Sequence, residues 1–301
     1  MTPNGRLVEG CFPPPPGFLE TPQWTGRVFQ IGAVSRRVLI YDDQVAGWND
    51  DLNHLLDDND GEGHYMNVAS RRNATRALKR WLAGTQPGVI VEIGCGSGHT
   101  MELLRQAFAG ATLIGADVVG EALSAVARKF PDIPLLQFDL VKCPLPDRFA
   151  DAVVALDVLE HIEDDAAAIH QISRILRPGG IVCIEVPGGP DLFDCYDRIL
   201  RHCRRYRMRE LTAKVEAAGL EVVERSHLGS LVYPAFWAVK RLNRRYDRLT
   251  LEQQRERVLR NIRSSGSNML VGCLLTAEDW LRQHIYLPFG IRCFVVCRRA
   301  A

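Results

Sequence analysis

The run Val89-Ile90-Val91-Glu92-Ile93-Gly94-Cys95-Gly96-Ser97-Gly98 has the form of a buried strand that turns through three glycines into a helix. An unbroken apolar run with one acid is what a parallel strand covered on both faces needs. Glycines at 94, 96 and 98 free the backbone for a tight turn and let a ligand approach it closely. The helix that opens behind them, from about His99 to Phe108, directs unpaired N–H groups and its positive end toward that ligand. A dinucleotide fingerprint requires Gly-x-Gly-x-x-Gly. Counting from Gly94 places His99 where the third glycine belongs, and counting from Gly96 places Met101 there. A nicotinamide-dependent oxidoreductase therefore fails on spacing.

Outward from this turn the chain alternates. Thr112–Ala116, Pro134–Phe138, Ala152–Leu156 and Ile181–Val186 read as strands, separated by helical stretches at Glu121–Phe130 and Asp164–Leu176. A helix from Glu210 to Ala218 precedes a sixth strand at Leu220–Arg225, and Cys293–Cys297 reads as a seventh. Alternation at this spacing predicts βαβ units. The expected fold is α/β, a doubly wound, seven-stranded, mostly parallel sheet with helices on both faces. Before the turn, an amphipathic stripe of Ala69, Ala74, Ala77, Leu78, Trp81 and Leu82 predicts a helix from Tyr65 that ends near Gly84. Residues 1–62 read as a loose, partly irregular arm, with Pro13-Pro14-Pro15-Pro16 barring helix and Val28–Tyr41 forming a short hairpin. Residues 63–228 are expected to form the cofactor-binding core. A helical insertion at 229–288 forms a candidate substrate cap, and 289–301 carries the last strand.

Composition excludes more than it selects. Net charge is +1, so no global field draws the chain to nucleic acid or a membrane. Nine cysteines stand singly, without Cys-x-x-Cys pairs, which argues against a zinc site or a disulfide framework. No metal site is expected. No apolar run follows a basic start, and no stretch reaches the roughly 18–20 apolar residues of a membrane-spanning helix. The expectation is a cytoplasmic protein without an integral membrane segment.

Three acids stand in register with Glu92 at the ends of consecutive strands: Asp117 in Ala116-Asp117-Val118, Asp139 in Phe138-Asp139-Leu140, and Asp157 in Leu156-Asp157-Val158. Ligands bind at that edge of open α/β sheets, and an acid after the second strand can accept both ribose hydroxyls of a nucleoside.

Together with the Glu-x-Gly-x-Gly-x-Gly turn, these positions resemble the class I S-adenosylmethionine-dependent methyltransferases. Val158-Leu159-Glu160-His161-Ile162 and Leu176-Arg177-Pro178-Gly179-Gly180 are similar to motifs of the ubiquinone-biosynthesis-like branch, methyltransferase type 11 or 12. The His202-x-x-x-Tyr206 segment, Leu287-Pro288-Phe289-Gly290 and the lead-in Gly63-His64-Tyr65 with Arg71 are similar too. The likeness runs from about residue 60 to 298 and departs at Tyr65-Met66, where relatives carry two aromatics. It implies S-adenosylmethionine as cofactor, held by Glu92, Gly94, Cys95, Gly96, Gly98, Asp117, Val118, Asp139, Leu140 and Asp157. Glu92 would orient the turn and the amino group of the cofactor's methionine part, and Asp139 would meet its adenine. His64, Tyr65 and Arg71 are the lid and substrate candidates.

His161, His202 and Tyr206 are the candidate catalytic residues. His202 and Tyr206 are expected one helical turn apart and facing the cleft; a structural role for each stays open. The expected activity is in-line methyl transfer to a small molecule, with O-methylation of a sugar, natural product or anionic intermediate first. N- or C-methylation, or a non-catalytic cofactor-binding partner, are the alternatives. No nucleic-acid partner is expected, and a homodimer is left open.

Overall fold

The computed structural model of the protein describes residues 12–43, 65–264, 269–282 and 284–300. Strands β1 (Gln23–Trp24), β2 (Phe29–Ile31) and β3 (Val34–Arg36) form a small antiparallel sheet, and β4 (Val38–Ile40) follows directly. Helix α1 (Tyr65–Trp81) leads into β5 (Val89–Ile93), α2 (His99–Ala107), β6 (Thr112–Asp117), α3 (Gly120–Lys129), β7 (Leu135–Gln137), β8 (Ala150–Leu156), α4 (Asp165–Ile175) and β9 (Leu176–Pro187). Then come α5 (Cys195–Ile199), α6 (Met208–Ala217), β10 (Leu220–Leu228), three insertion helices α7 (Tyr233–Asn243), α8 (Leu251–Ser264) and α9 (Met269–Leu281), and β11 (Arg292–Arg299).

The main sheet has the order β10-β11-β9-β8-β5-β6-β7-β4. It is parallel from β9 to β4, while β11 runs antiparallel to both its neighbours. The α/β class, the mostly parallel sheet and the helical insertion before the last strand agree with expectation. The strand number does not, because the sheet has eight strands rather than seven. Val38–Ile40 leaves the hairpin and pairs in parallel with β7, with the Tyr41 amide donating to the Gln137 carbonyl at 2.8 Å. Without it β7 would present an open edge, and an open edge is normally covered or blunted.

Alternate strand residues feed two cores. Ile90, Leu113 and Val154 pack against Leu78 of α1, Leu104 of α2, Leu123 of α3 and Leu275 of α9. Val91, Ile114 and Val153 pack on the other face against Ile172 of α4 and Leu211 of α6. That second face also takes Phe12 and Phe29. Phe12 is 2% exposed and meets Phe29 edge-on with ring centroids 5.4 Å apart. The stretch read as a loose arm is therefore anchored to the core at Phe12, Phe29, Ile31 and Leu39, while many of the residues between them are exposed. Proline excludes helix but leaves an extended chain free to lay its aromatics on a core, and the Tyr41 hydroxyl pins it by donating to the Pro13 carbonyl.

Candidate active site

The glycine turn follows β5, and all three glycines have positive φ, at 72°, 45° and 78°. Their neighbours differ. A Cβ on Gly94 would lie 2.5 Å from Val158 Cγ2, and one on Gly98 would lie 2.8 Å from the Phe130 ring. Those two glycines are required by packing. A Cβ on Gly96 would meet nothing within 4 Å, so this glycine borders open space.

Asp117 holds the turn. Its carboxylate accepts from the Gly96 amide at 2.8 Å and from the Val119 amide at 3.0 Å, which ties the end of β6 to the turn after β5. Each oxygen of an ionised carboxylate has more than one acceptor site, so these bonds leave capacity for a further donor. Val118 beside it is half-buried, and Cys95 is buried, with its thiol pushed well up by desolvation. Asp139 caps the short turn Leu140–Lys142 by accepting from the Val141 amide at 3.0 Å, and Leu140 is buried beneath it.

Glu92 is 5% exposed, and its Oε2 has no hydrogen-bond partner. Burial pushes its pKa up to about 8, against the opposing pull of the Thr100 hydroxyl and of Arg71. An orphaned buried carboxyl oxygen on the strand that opens the glycine turn suits a cationic amino group such as that of S-adenosylmethionine. The donor and acceptor set around the turn thus fits that cofactor.

A measurable consequence follows from the raised pKa. The folded protein holds the Glu92 proton more tightly than the unfolded chain, so this group's stabilising contribution is lost as pH rises through about 8. A bound ammonium favours the ionised form. Binding at pH 7 is therefore expected to release protons, and affinity to rise from pH 6 to pH 8 and level off above. Calorimetry in buffers of different ionisation enthalpy reads this directly; an affinity flat with pH would remove Glu92 from the contact.

Asp157 closes the row of acids. It adopts a left-handed φ of 53°, rare for a residue with a Cβ, and its amide donates to the Glu185 carbonyl at 3.0 Å. Its carboxylate pairs with Arg292 at 2.9 Å. Arg292 also meets Glu185 at 2.7 Å and takes Ser70 and Asn67 of α1 as acceptors at 2.8 Å each. Arg292, Glu185, Ser70 and Asn67 are absent from the residues expected at the site. Glu185 was the available signal: a lone acid inside the apolar run Ile181-Val182-Cys183-Ile184-Glu185-Val186 must either find a polar partner or keep its proton, and it is fully buried.

The short turn Leu159–His161 after β8 brings Glu160 and His161 to the same edge. His161 packs edge-on against His202, with ring centroids 4.8 Å apart. Burial first, and His202 second, push its pKa down to about 3, so it is neutral at pH 7. His202 Nδ1 lies 2.9 Å from Asp197 Oδ1. A carboxylate only accepts, so Nδ1 carries the proton in this bond and Nε2 is the ring nitrogen that Asp197 does not hold.

His202 and Tyr206 do not share a helical turn. Helix α5 ends at Ile199, and Tyr206 lies in a bridge with Gly188. Tyr206 is 1% exposed, and its hydroxyl donates to Asp165 Oδ2 at 2.8 Å and approaches the Leu159 carbonyl at 3.1 Å. Burial and Asp165 drive its pKa far up, so it clamps α4 to the turn after β8 and offers no base. The spacing is correct for a helix, but the segment between Ile199 and α6 is not helical, and the two side chains take different partners, Asp197 and Asp165.

Of the lid candidates, Tyr65 starts α1 and packs against Gly272 of α9, where a Cβ would lie 2.5 Å from the ring. Arg71 lies on α1 near Glu92, and His64 lies outside the described residues.

A strand–glycine–helix turn and a row of acids at the carboxyl edge of a doubly wound sheet define a nucleoside-binding α/β domain of the class I methyltransferase type. A model of the methyltransferase domain family matches residues 63–225, more than half of the chain, and the chain belongs to that family, which uses S-adenosylmethionine. It is 33% identical over 135 residues to a "Probable S-adenosylmethionine-dependent methyltransferase" of Mycolicibacterium smegmatis, covering 44% of this chain and 52% of the relative. It is 30% identical over 145 residues to the demethylmenaquinone methyltransferase of Chlorobaculum tepidum, covering 48% and 57%. The chain thus spans about half the length of these curated relatives. Among solved structures, the [4+2]-cyclase SpnF superposes with a TM-score of 0.53 at 17% identity, covering 85% of this chain and 87% of that one. That likeness shows a shared fold, and a fold of this kind carries more than one chemistry.

Proposed function

We propose that the protein methylates a small-molecule hydroxyl, with a sugar or natural product as the first class of acceptor, using S-adenosylmethionine as donor. The observation that carries the reading is the pairing of the open face at Gly96 with the unpartnered, buried Glu92 oxygen. Glu92, the turn 94–98, Asp117 with Val118, Asp139 with Leu140, and Asp157 are the residues assigned to the cofactor. The bound cofactor supplies an electrophilic methyl group that is already activated, so the chain's task is alignment and proton removal. Orientation alone can contribute roughly 7–11 kcal/mol to such a displacement.

His202 is assigned as the base. Its Nδ1–H is held by Asp197, which leaves Nε2 to take the hydroxyl proton and favours the imidazolium that results. His161 packs against its ring and stays neutral, which suits a wall of the acceptor site rather than a second base. Residues 229–288 are assigned as the substrate cap.

The test is release of S-adenosylhomocysteine with panels of hydroxylated and amine acceptors. His202→Gln is expected to lower kcat by about 10²–10⁴-fold with a hydroxyl acceptor and to leave cofactor affinity unchanged. Turnover with amines alone, insensitive to this change, would instead select N-methylation.

A second reading gives the acceptor a divalent cation. Glu160, His161 and His202 offer ligand atoms all within 4.8 Å of one another; Glu160 and His161 are sequence neighbours whose spacing is not diagnostic of a metal, and the fold adds His202. Both Glu160 carboxyl oxygens are buried without a hydrogen-bond partner, which leaves their lone pairs available to a ligand. Loss of turnover on dialysis against EDTA, restored by Mg²⁺ or Mn²⁺, would select this reading.

A further inference from the structure

The first helix of the insertion buries two polar side chains, Lys240 and Asn243, against the body of the protein. Lys240 of α7 is 6% exposed, and its ammonium donates to Asp194 Oδ1 at 2.7 Å and Asp197 Oδ2 at 3.0 Å. Asn243, one turn on, donates to Asp194 Oδ2 at 3.2 Å. The Tyr196 and Phe236 rings each lie 5.4 Å from the ammonium and wall it off from water.

Both carboxylates belong to the start of α5. Asp194 accepts from the Tyr196 amide at 2.9 Å, and Asp197 Oδ2 accepts from the Asp194 amide at 3.0 Å. Asp197 Oδ1 faces the other way. It takes the His202 ring at 2.9 Å and the Arg205 Nε at 2.8 Å, while Arg205 also donates to the Gly188 carbonyl at 3.1 Å. One carboxylate, 1% exposed, therefore holds a cap lysine on one oxygen and the assigned base on the other.

The charges at this node balance: two buried carboxylates face two buried cations, Lys240 and Arg205. Removal of the lysine leaves a buried negative charge with one cation too few, which a low-dielectric interior tolerates poorly. Asp197 then gains by rotating toward Arg205 or admitting water, and either movement loosens the bond that fixes the His202 ring. Conversely, seating α7 fills both sites and locks Asp197 in its bridging pose.

We propose that Lys240 is a positioning residue, a latch through which docking of the cap onto α5 and orientation of His202 become one event. His202 is held in its working pose only when α7 is seated. Proton removal is thereby tied to a seated α7. The proposal rests on the assignment of His202 as the base, yet its structural half, a cap held by Lys240 to the carboxylate that holds His202, stands apart from any activity.

The experiment compares wild type, Lys240→Met and Lys240→Arg as full chains. The His202 Nδ1–H resonance, identified by its loss in His202→Gln, reports the bond to Asp197. Hydrogen–deuterium exchange of residues 233–243 reports the seating of α7. Lys240→Met is expected to broaden or remove the resonance and to raise exchange across α7. With an acceptor found, kcat is expected to fall about tenfold or more, while S-adenosylmethionine affinity stays within about twofold. Lys240→Arg restores the resonance and most of kcat by keeping the cation.

A Lys240→Met protein that exchanges faster in α7 but keeps both resonance and kcat overturns the proposal, because the lysine is then only a structural tie. Unchanged exchange overturns it too. Should Lys240→Met fail to fold, Asp194→Asn weakens the same latch without touching Asp197, and the same two outcomes apply. If wild type shows no turnover with any acceptor, the assignment of function fails while resonance and exchange still judge the latch.

Discussion

Gly96→Arg is expected to abolish S-adenosylmethionine binding, weakening affinity at least about a hundredfold, a change of roughly 2.7 kcal/mol or more. The protein should still fold. A Cβ at this position meets no atom within 4 Å, so the new side chain enters open space, the space assigned to the cofactor. Its cost to the fold is the left-handed backbone at φ 45°, about 1–2 kcal/mol, and a melting temperature lower by a few degrees. Gly94→Ala is the control of opposite character. Its single added carbon sits 2.5 Å from Val158 Cγ2, so the turn after β5 and the segment after β8 must separate, and stability suffers before any ligand is added. Calorimetry and thermal melts on both variants separate the two roles. A Gly96→Arg protein that binds the cofactor as wild type does would place the site elsewhere.

Arg292→Met has the largest expected effect on stability. Arg292 is the cation for Glu185, which is fully buried in a central strand, and it also holds Asp157 and the α1 side chains Ser70 and Asn67. Breaking a buried pair by removing one partner costs about 3–5 kcal/mol, because the other charge is left in the interior. For a chain of this size that corresponds to a melting temperature lower by roughly 6–20 °C. Adding Glu185→Gln to Arg292→Met is expected to recover part of the loss, since a neutral amide is cheaper to bury than an unpaired carboxylate. A double variant no more stable than the single would mean that Asp157 and α1, rather than Glu185, are what Arg292 supports.

The residues proposed for the cofactor were legible in the sequence because each of their settings is local. A strand, a turn and a helix start follow one another from Val89 to Leu104, and the acids after β6, β7 and β8 occupy the same place in successive βα units. The catalytic side was legible only in part. His161 and His202 stand 41 positions apart and meet with ring centroids 4.8 Å apart. Asp197, the partner of His202, gives no signal, since an acid before Arg198 and Arg201 looks like any solvated helix face. Tyr206 has a helical spacing from His202 that the backbone does not follow. The proline-rich stretch reads as an arm because its burial depends on a distant receiving surface at Phe149.

By itself the sequence determined the α/β class, the strand–glycine–helix turn, the row of acids and the helical insertion. All of these follow from backbone freedom and side-chain periodicity within about twenty residues. Only the tertiary structure decided the eighth strand, the Arg292–Glu185–Asp157 cluster and the joining of Lys240 to His202 through Asp197. Those contacts are settled by charge and edge satisfaction. A buried acid or an open strand edge must find a partner, but many residues of the chain could satisfy it, and the folded sheet alone determines which one arrives.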